Sequence, residues 1–285
     1  MLLMAAAVAS PLHAAQGGSK KPPVIAVAPE GETQEMVLAD GTRAIGRVER
    51  FDGQRLTFRT NAGVVMQVEI SQVVALTVVN GRVVNGEFWR ADSNPTRLFF
   101  APTGRSLKKG EAYLGVYEVL MPFVQVGLTD RISIGGGTPL FFIDNSDRPF
   151  WLTPKVQVMK RGSVEAAVGV LHISNVGDYS AGVAYGVVTS GSADSAVTIG
   201  VGYAYSRSDG EEDVGAAPVL MLGGEHRVSR KIKLVTENYI FPSGGLLSGG
   251  VRFMGENLSV DLGLVSPLNA GAWIAAPMVN FVWKF

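Results

Sequence analysis

The chain has 285 residues, balances 25 basic against 25 acidic side chains, and contains no cysteine. The balanced charge gives no general attraction to nucleic acid or to an anionic membrane surface, and the lack of cysteine excludes disulfides, thiolate metal sites and cysteine nucleophiles. Charged residues make up 18% of the chain, whereas they make up about 25% of an average soluble domain. The composition, which includes 35 glycines, is therefore unusual for a soluble domain.

The amino-terminal segment, Met1 to Ala15, is apolar, ends in small residues and is too short to span a membrane as a helix. It predicts a secretory signal peptide over residues 1–15, although it lacks the basic residues that usually come first. Residues 16–35, which are polar and contain glycine and proline, are predicted to be a flexible linker.

Residues 36–80 alternate strand-like runs with the turn signals Asp40-Gly41, Asp52-Gly53 and Asn61-Ala62-Gly63. Several short strands at this spacing predict a compact β module, which resembles the small SH3-like or Sm-like barrels. Acidic residues lie among its arginines, so we expect a solvated surface and not a nucleic-acid site. The module is expected to be periplasmic, to act as a scaffold or docking unit, and to have a periplasmic protein as its partner.

Residues 81–110 are predicted to be a linker rich in aromatic residues, including Trp89, Phe99 and Phe100, and to end near Lys108 and Lys109. Aromatic and basic residues beside a membrane domain favour an interfacial position. A loop packed by its own aromatic side chains accounts for the pattern equally well, and the sequence leaves both alternatives open.

From residue 111 to residue 285 the chain breaks into segments of about ten residues that alternate in hydrophobicity, as membrane-spanning strands do. Residues 164–170, 197–203 and 258–264 show the pattern most clearly. Their second face is mainly glycine, alanine and serine, whereas the outward face of a soluble sandwich would carry many charges. The sequence therefore predicts an all-β protein with an antiparallel transmembrane β-barrel after the small module.

Turn lengths predict the number of strands. Tight polar turns alternate with longer loops, which assigns one rim to the periplasm and gives about 12 strands, an even number as single-chain bacterial barrels require; the tight turns are at 129–131, 160–162, 192–194, 229–231 and 255–257. The first hairpin has only residues 120–122 as a turn signal, so ten strands remain an alternative.

The last strand has apolar or aromatic side chains at alternate positions, namely Val279, Phe281, Trp283 and Phe285. This pattern resembles the carboxy-terminal signal of bacterial outer-membrane proteins, which directs their assembly. The resemblance implies an outer-membrane location, with outer-membrane lipid and the barrel-assembly machinery as partners.

Extending the phase of the last strand to the other strands assigns a set of polar residues to the lumen. Charges of both signs in a narrow interior are expected to pair, because an unpaired buried charge is costly. The set comprises Lys155, Gln157, Glu165, Glu225, Arg227, Lys233, Glu237, Arg252, Asp261, Asn280 and Lys284. Most of these charges lie near the tight turns, which predicts a narrow passive channel for small solutes or ions with a mixed-charge periplasmic constriction. The alternative is a structural or docking barrel whose lumen is plugged by paired charges.

An enzymatic alternative rests on His172-Ile173-Ser174-Asn175. This string is similar to one in outer-membrane lipid A deacylases, and His-x-Ser also occurs in outer-membrane phospholipases. The resemblance implies Ser174 as nucleophile and His172 as base, with a third residue that orients the histidine. The families' spacing puts that residue at Gly186, which cannot do this, and Asp178 is the nearby substitute. The sequence therefore favours a non-enzyme, and its scattered histidines predict neither a metal site nor a cofactor.

Overall fold

The computed structural model describes residues 24–29, 31–140, 148–177, 179–208, 215–268 and 274–285. The chain divides into two compact units, Met1–Asn80 and Gly81–Phe285. The predicted signal peptide, residues 16–23 of the predicted linker, and Asp178 lie outside the described residues. Within the described ranges, no helix is long and apolar enough to cross a membrane.

The first unit contains a six-stranded sheet with the strand order β1-β6-β2-β3-β4-β5. Its elements are β1 (Val24–Ile25), β2 (Gln34–Leu38), β3 (Arg43–Phe51), β4 (Arg55–Thr60), β5 (Val65–Glu69), a 3-10 helix (Ile70–Gln72) and β6 (Val73–Val78). Met36, Leu56, Phe58 and Leu76 form a fully buried core. Strands β1 and β2 begin inside the stretch predicted to be a linker, and the SH3-like resemblance stays a prediction.

The second unit is a closed antiparallel barrel in which each strand pairs with the next and the last strand pairs with the first. The strands are β9 (Ala112–Tyr117), β10 (Met121–Gly127), β11 (Ile132–Gly137), β12 (Phe150–Leu152), β13 (Lys155–Arg161), β14 (Val164–Val176), β15 (Tyr179–Gly191), β16 (Ser195–Ser208), β17 (Gly215–Ser229), β18 (Ile232–Phe241), β19 (Gly244–Met254), β20 (Leu258–Pro267) and β21 (Ala276–Lys284). β12 and β13 run end to end between β11 and β14 and form one wall strand.

The predicted all-β fold with a 12-stranded barrel is confirmed, and the alternative of ten strands is wrong. The first hairpin, whose only turn signal was at residues 120–122, turns just before Met121. Glu118 and Val119 both take positive φ angles there. Because these residues carry no glycine or asparagine signature, the turn was difficult to locate from the sequence.

The two faces of the wall strands alternate in chemistry. On β16, Val197, Ile199 and Val201 are 50–63% exposed, whereas Thr198 on the opposite face is 1% exposed. On β17 the outward-facing Leu222 is 38% exposed and its inward-facing neighbour Met221 is 5% exposed. The outer surface is therefore mainly apolar, and most of the polar side chains of the strands point into the lumen.

A hairpin of β7 (Gly81–Val84) and β8 (Glu87–Arg90) precedes the barrel strands. It lies at the rim that carries the tight turns, where the Arg82 guanidinium pairs with Asp194. The guanidinium of Arg227 lies over the ring of Trp89, 4.9 Å from its centroid. The chain then enters the barrel from this rim.

Candidate functional site

Residues 91–107, here called the plug, lie inside the barrel. The plug turns back on itself at residues 98–101, where the amide of Leu98 donates to the carbonyl of Ala101 over 2.9 Å, and the amide of Thr103 donates to Thr96 over 2.9 Å. Leu98 and Phe99 are completely buried. The sequence predicted that this segment belongs to a linker, either at the membrane interface or in a loop packed by its own aromatic side chains. The structure instead packs it against the inner wall of the barrel.

Glu237 on β18 holds the tip of the plug. Its Oε2 atom accepts hydrogen bonds from the backbone amides of Phe99, Phe100 and Ala101 at 2.8, 2.9 and 2.9 Å. The hydroxyl of Tyr239 donates to the other carboxylate oxygen over 2.7 Å. Successive backbone N–H groups that converge in this way form an anion-binding concavity, so one wall carboxylate fixes the turn of the plug.

Arg252 on β19 binds the plug on a second side and is completely buried. Its guanidinium donates to the carbonyls of Asn94 over 2.8 Å and Leu98 over 2.5 Å. It also forms two hydrogen bonds to the carboxylate of Asp261 on β20, at 2.7 and 3.0 Å. A planar guanidinium can satisfy a carboxylate and backbone carbonyls at once, so Arg252 ties the wall and the plug together.

Asp92 of the plug completes a buried group of alternating charges. The Nζ of Lys233 lies 2.6 Å from Asp92 and 2.9 Å from Glu225, and Arg252 lies 3.1 Å from Asp92. Burial alone would raise the pKa of Asp92, but the charges of Lys233 and Arg252 outweigh it and hold that pKa well below its ordinary value. The carboxylate is therefore ionised and anchors the entrance of the plug.

The returning half of the plug is bound from the opposite wall. Lys155 donates to the carbonyl of Arg105 over 2.6 Å, and Gln157 donates to the carbonyl of Gly104 over 2.9 Å. The Arg105 guanidinium in turn forms ion pairs with Glu225 and with Glu165. The plug is thus held on several sides by hydrogen bonds and charges of both signs.

Gly104 lies so close to the wall that a side chain would not fit. A Cβ at this position would lie 2.1 Å from the carbonyl oxygen of Glu165. We expect Gly104→Ala to lower the free energy of unfolding by about 1–3 kcal/mol, the usual cost of overpacking, measured by denaturant unfolding in detergent. Gly186→Ala is the control, because its Cβ would meet no atom closer than 3.9 Å. Equal stability of the two variants would contradict this close approach.

The structure places the predicted lumen residues on the inner face, and most of them contact the plug or each other. Lys155, Glu225, Lys233, Glu237, Arg252 and Asp261 are buried there together with Gln157 and Asn280. Arg227 donates to the carbonyl of Arg90 over 2.7 Å. Lys284 differs, because it pairs with Glu111 over 2.8 Å and is 24% exposed. Most of the charges that were predicted to line a constriction instead contact the plug or each other.

The predicted assembly-signal residues lie on the outer face of the last strand. Phe281 and Trp283 are 37% and 48% exposed, and they alternate with the buried, inward-facing Asn280 and Val282. The alternation read from the sequence therefore describes the faces of β21. Whether these side chains direct assembly stays a prediction.

His172 and Ser174 on β14 share the outward face near the rim of the longer loops. Ser174 Oγ lies 2.9 Å from His172 Nε2, and His172 Nδ1 lies 2.8 Å from the hydroxyl of Tyr205 on β16. A histidine that acts as general base must hold its proton on Nδ1, which a carboxylate or amide oxygen usually secures. A neutral phenol favours a proton on Nδ1 less than a carboxylate does. The structure thus brings together the predicted serine and histidine, with Tyr205 as the third group.

The plug side of the lumen network was missed by the sequence analysis. Asp92, Gly104 and Arg105 contact wall residues 50 to 160 positions away. Arg97 contacts wall residues 16 to 56 positions away. The many lumenal charges of both signs were a signal that another segment binds inside the barrel, because a narrow lumen has room for few unpaired charges. Among the described residues there is no cluster of three or more His, Asp or Glu side chains that could hold a metal ion.

No family model and no curated protein matches the chain, whereas several solved structures do. A KdgM porin in complex with disordered oligogalacturonate is 6% identical, covers 61% of this chain and 98% of its own, and has a TM-score of 0.47. A second KdgM porin structure has a TM-score of 0.46 at the same identity and coverage. A loop L8 deletion mutant of OmpT, an outer membrane protein of Vibrio cholerae, is 11% identical over 89% of this chain and 96% of its own, with a TM-score of 0.38.

Proposed function

We propose that this protein is an outer-membrane β-barrel channel for small solutes whose lumen is closed at rest by the plug. The membrane location is supported by the apolar outer face, where exposed side chains such as Val188, Ile199, Leu234 and Leu262 recur around the wall. A closed antiparallel barrel satisfies its backbone hydrogen bonds internally, as a membrane-spanning structure must. The tight-turn rim would then face the periplasm.

The presence of the plug inside the barrel is the observation that supports a closed resting state. Polar contacts hold it to β13, β18 and β19, and Leu107 packs in a cluster with Tyr113, Tyr117 and Phe123 on the remaining side. The rings of Tyr117 and Phe123 stack with centroids 4.7 Å apart. An open pore selective for one sign of ion would carry a ring of like charges. The mixed charges here serve to hold the plug.

Opening of the channel requires the plug to leave its contacts, and these contacts suit reversible release. Those with β13, β18 and β19 are hydrogen bonds and ion pairs, which water can replace when the segment moves. The apolar contacts of Leu98, Phe99 and Leu107 with the wall would also have to be broken. A barrel with a purely structural or docking role would use the same contacts but would keep them permanently. The two alternatives therefore differ in whether the wild-type barrel can be opened.

Planar-bilayer recording of the wild-type protein tests the proposal. We expect no steady current at low voltage and reversible current steps at high voltage or in mild urea. Heat-modified gel mobility of the inserted sample shows that the barrel is folded. A steady current at low voltage would contradict the closed resting state, and a folded barrel that never opens would favour the docking role.

A second candidate function is ester hydrolysis at the outer, lipid-facing surface, which the distance of 2.9 Å between Ser174 and His172 supports. In this function His172 takes the hydroxyl proton of Ser174, whose oxygen attacks an ester carbonyl and releases the alcohol. Water then releases the acid from the acyl-serine. The chain would act on an ester of the surrounding lipid.

Ser174→Ala tests the second candidate function. If the serine is the nucleophile, we expect lipid deacylation by the purified protein to fall by about a thousandfold or more, since removal of a nucleophile disables the whole catalytic unit. Ser206→Ala, on β16 near the same rim, is the control. Equal lipid profiles for wild type and Ser174→Ala would remove hydrolysis from consideration.

A further inference from the structure

A chamber lies in the lumen between the tip of the plug and the rim of the longer loops. It encloses about 380 Å³, a size within the range of sites for small molecules. Its floor is the plug, at Phe100 and Pro102, and its wall is almost entirely apolar, with Leu171, Val187 and Met221 among the lining residues. An apolar chamber of this kind is costly to hydrate and favours an apolar occupant.

One charged side chain, Arg97 of the plug, contributes to the chamber lining. It is 9% exposed, and its guanidinium lies over the ring of Phe123, 5.0 Å from the centroid. The nitrogen atoms of Arg97 donate to four neutral acceptors, namely Tyr113 Oη at 3.0 Å, the Phe100 carbonyl at 2.8 Å, Gln125 Oε1 at 2.8 Å and Thr153 Oγ1 at 3.3 Å.

Arg97 and Lys155 differ from the other buried cations of the plug and wall, because their hydrogen-bond acceptors are neutral oxygen atoms. Of these two cations, Arg97 is the one that lines the chamber. Asp92, Asp261 and Glu225 pair with Lys233, Arg252 and Arg105, whereas no carboxylate in the described ranges forms an ion pair with Arg97. A buried cation without a counter-ion is costly. An anionic group that enters the chamber would therefore gain a charge-assisted hydrogen bond at this position.

We propose that the chamber binds a small monocarboxylate with an apolar body, such as a medium-chain fatty acid, with its head group at Arg97 and its chain along the apolar wall. This inference deepens the proposed function, because it names the class of solute that the channel would take up. Arg97 is part of the plug, so the head group would contact the segment that must move for the channel to open.

Binding of decanoate to the full chain in amphipol, measured by equilibrium dialysis, tests the proposal. We expect wild type to bind decanoate at least about tenfold more tightly than decanol, because the charged head adds a charge-assisted hydrogen bond. Equal affinity for the two compounds would overturn the role of Arg97. Failure to bind either compound would overturn the chamber.

Two tryptophan variants on β17 locate the bound molecule. Met221→Trp fills the chamber and is expected to weaken decanoate binding by about tenfold or more, whereas Leu222→Trp lies on the outer face and should leave it unchanged. If both variants weaken binding equally, the ligand lies elsewhere and the proposal fails. Thermal unfolding of both variants shows that they are folded.

Arg97→Gln separates the head group from the apolar chain. It should abolish the preference for decanoate over decanol while retaining decanol binding, and a retained preference would overturn the assignment of Arg97. Conductance is measured separately. A wild-type barrel that binds decanoate but is steadily open would refute the closed channel alone, and a closed barrel that binds no decanoate would refute the chamber alone.

Discussion

Replacement of Arg252 by methionine is expected to lower the free energy of unfolding by about 3–5 kcal/mol, the usual cost of removing one partner from a buried ion pair. Arg252→Met leaves Asp261 without the guanidinium that binds both of its oxygens. It also removes the donor to the carbonyls of Asn94 and Leu98. Asp92 keeps Lys233 as a partner. The contacts that are lost are therefore mainly those of β20 and of the middle of the plug.

Denaturant unfolding in detergent, followed by tryptophan fluorescence, measures this effect. Arg161→Met is the matched control, because Arg161 is exposed at the end of β13, and a surface substitution usually changes stability by less than about 0.5 kcal/mol. If Arg252→Met and Arg161→Met unfold at the same denaturant concentration, the buried network around Arg252 does not stabilise the protein.

Replacement of the plug residues 92–106 by a Gly/Ser linker of equal length is expected to open the barrel to ions. The linker keeps the connection between β8 and β9 but lacks the carboxylate and guanidinium groups that bind the wall. The lumenal charges would then face water and could be hydrated. In planar bilayers this variant should give steady current steps at low voltage, where wild type gives none.

A cross-linked closed form provides the control for this prediction. The chain has no cysteine of its own, so a disulfide between the plug and the wall can be introduced and reduced without competing thiols. The oxidised form should remain closed at voltages that open wild type, and reduction should restore the wild-type response. A linker variant that is folded but conducts no more than wild type would show that the plug is not what closes the lumen.

The barrel could be predicted from the sequence because its signal is local. Alternation with a period of two assigns each strand residue to a face, and one phase-fixing strand, β21, was enough to place Glu237, Arg252 and Asp261 inside. Turn residues divided the remaining chain into strands of the correct number. The hairpin at Glu118 and Val119 was harder, because its positive φ angles occur in residues that rarely adopt them.

The plug could not be predicted in the same way, because it is irregular and its partners are distant in sequence. The three amides of its tip bind a carboxylate about 137 residues away, and no pattern within 91–107 encodes that contact. The same limit applies to the outer face near His172. The spacing of two residues predicts that His172 and Ser174 share a face, whereas Tyr205 comes from another strand and carries no local signal.

Disulfide formation between Leu98→Cys and Gly223→Cys tests the location of the plug most directly. A Cβ on Gly223 would lie 3.5 Å from Leu98 Cγ and 2.1 Å from its Cδ1, which places the two side chains within the separation that a disulfide needs. Leu98→Cys with Leu222→Cys is the control, because residue 222 faces outward. We predict rapid oxidation of the first pair in intact outer membranes, seen as a shift in non-reducing gels, and none of the second. Absence of the cross-link in the first pair, or equal cross-linking of both pairs, would contradict a barrel closed by residues 91–107.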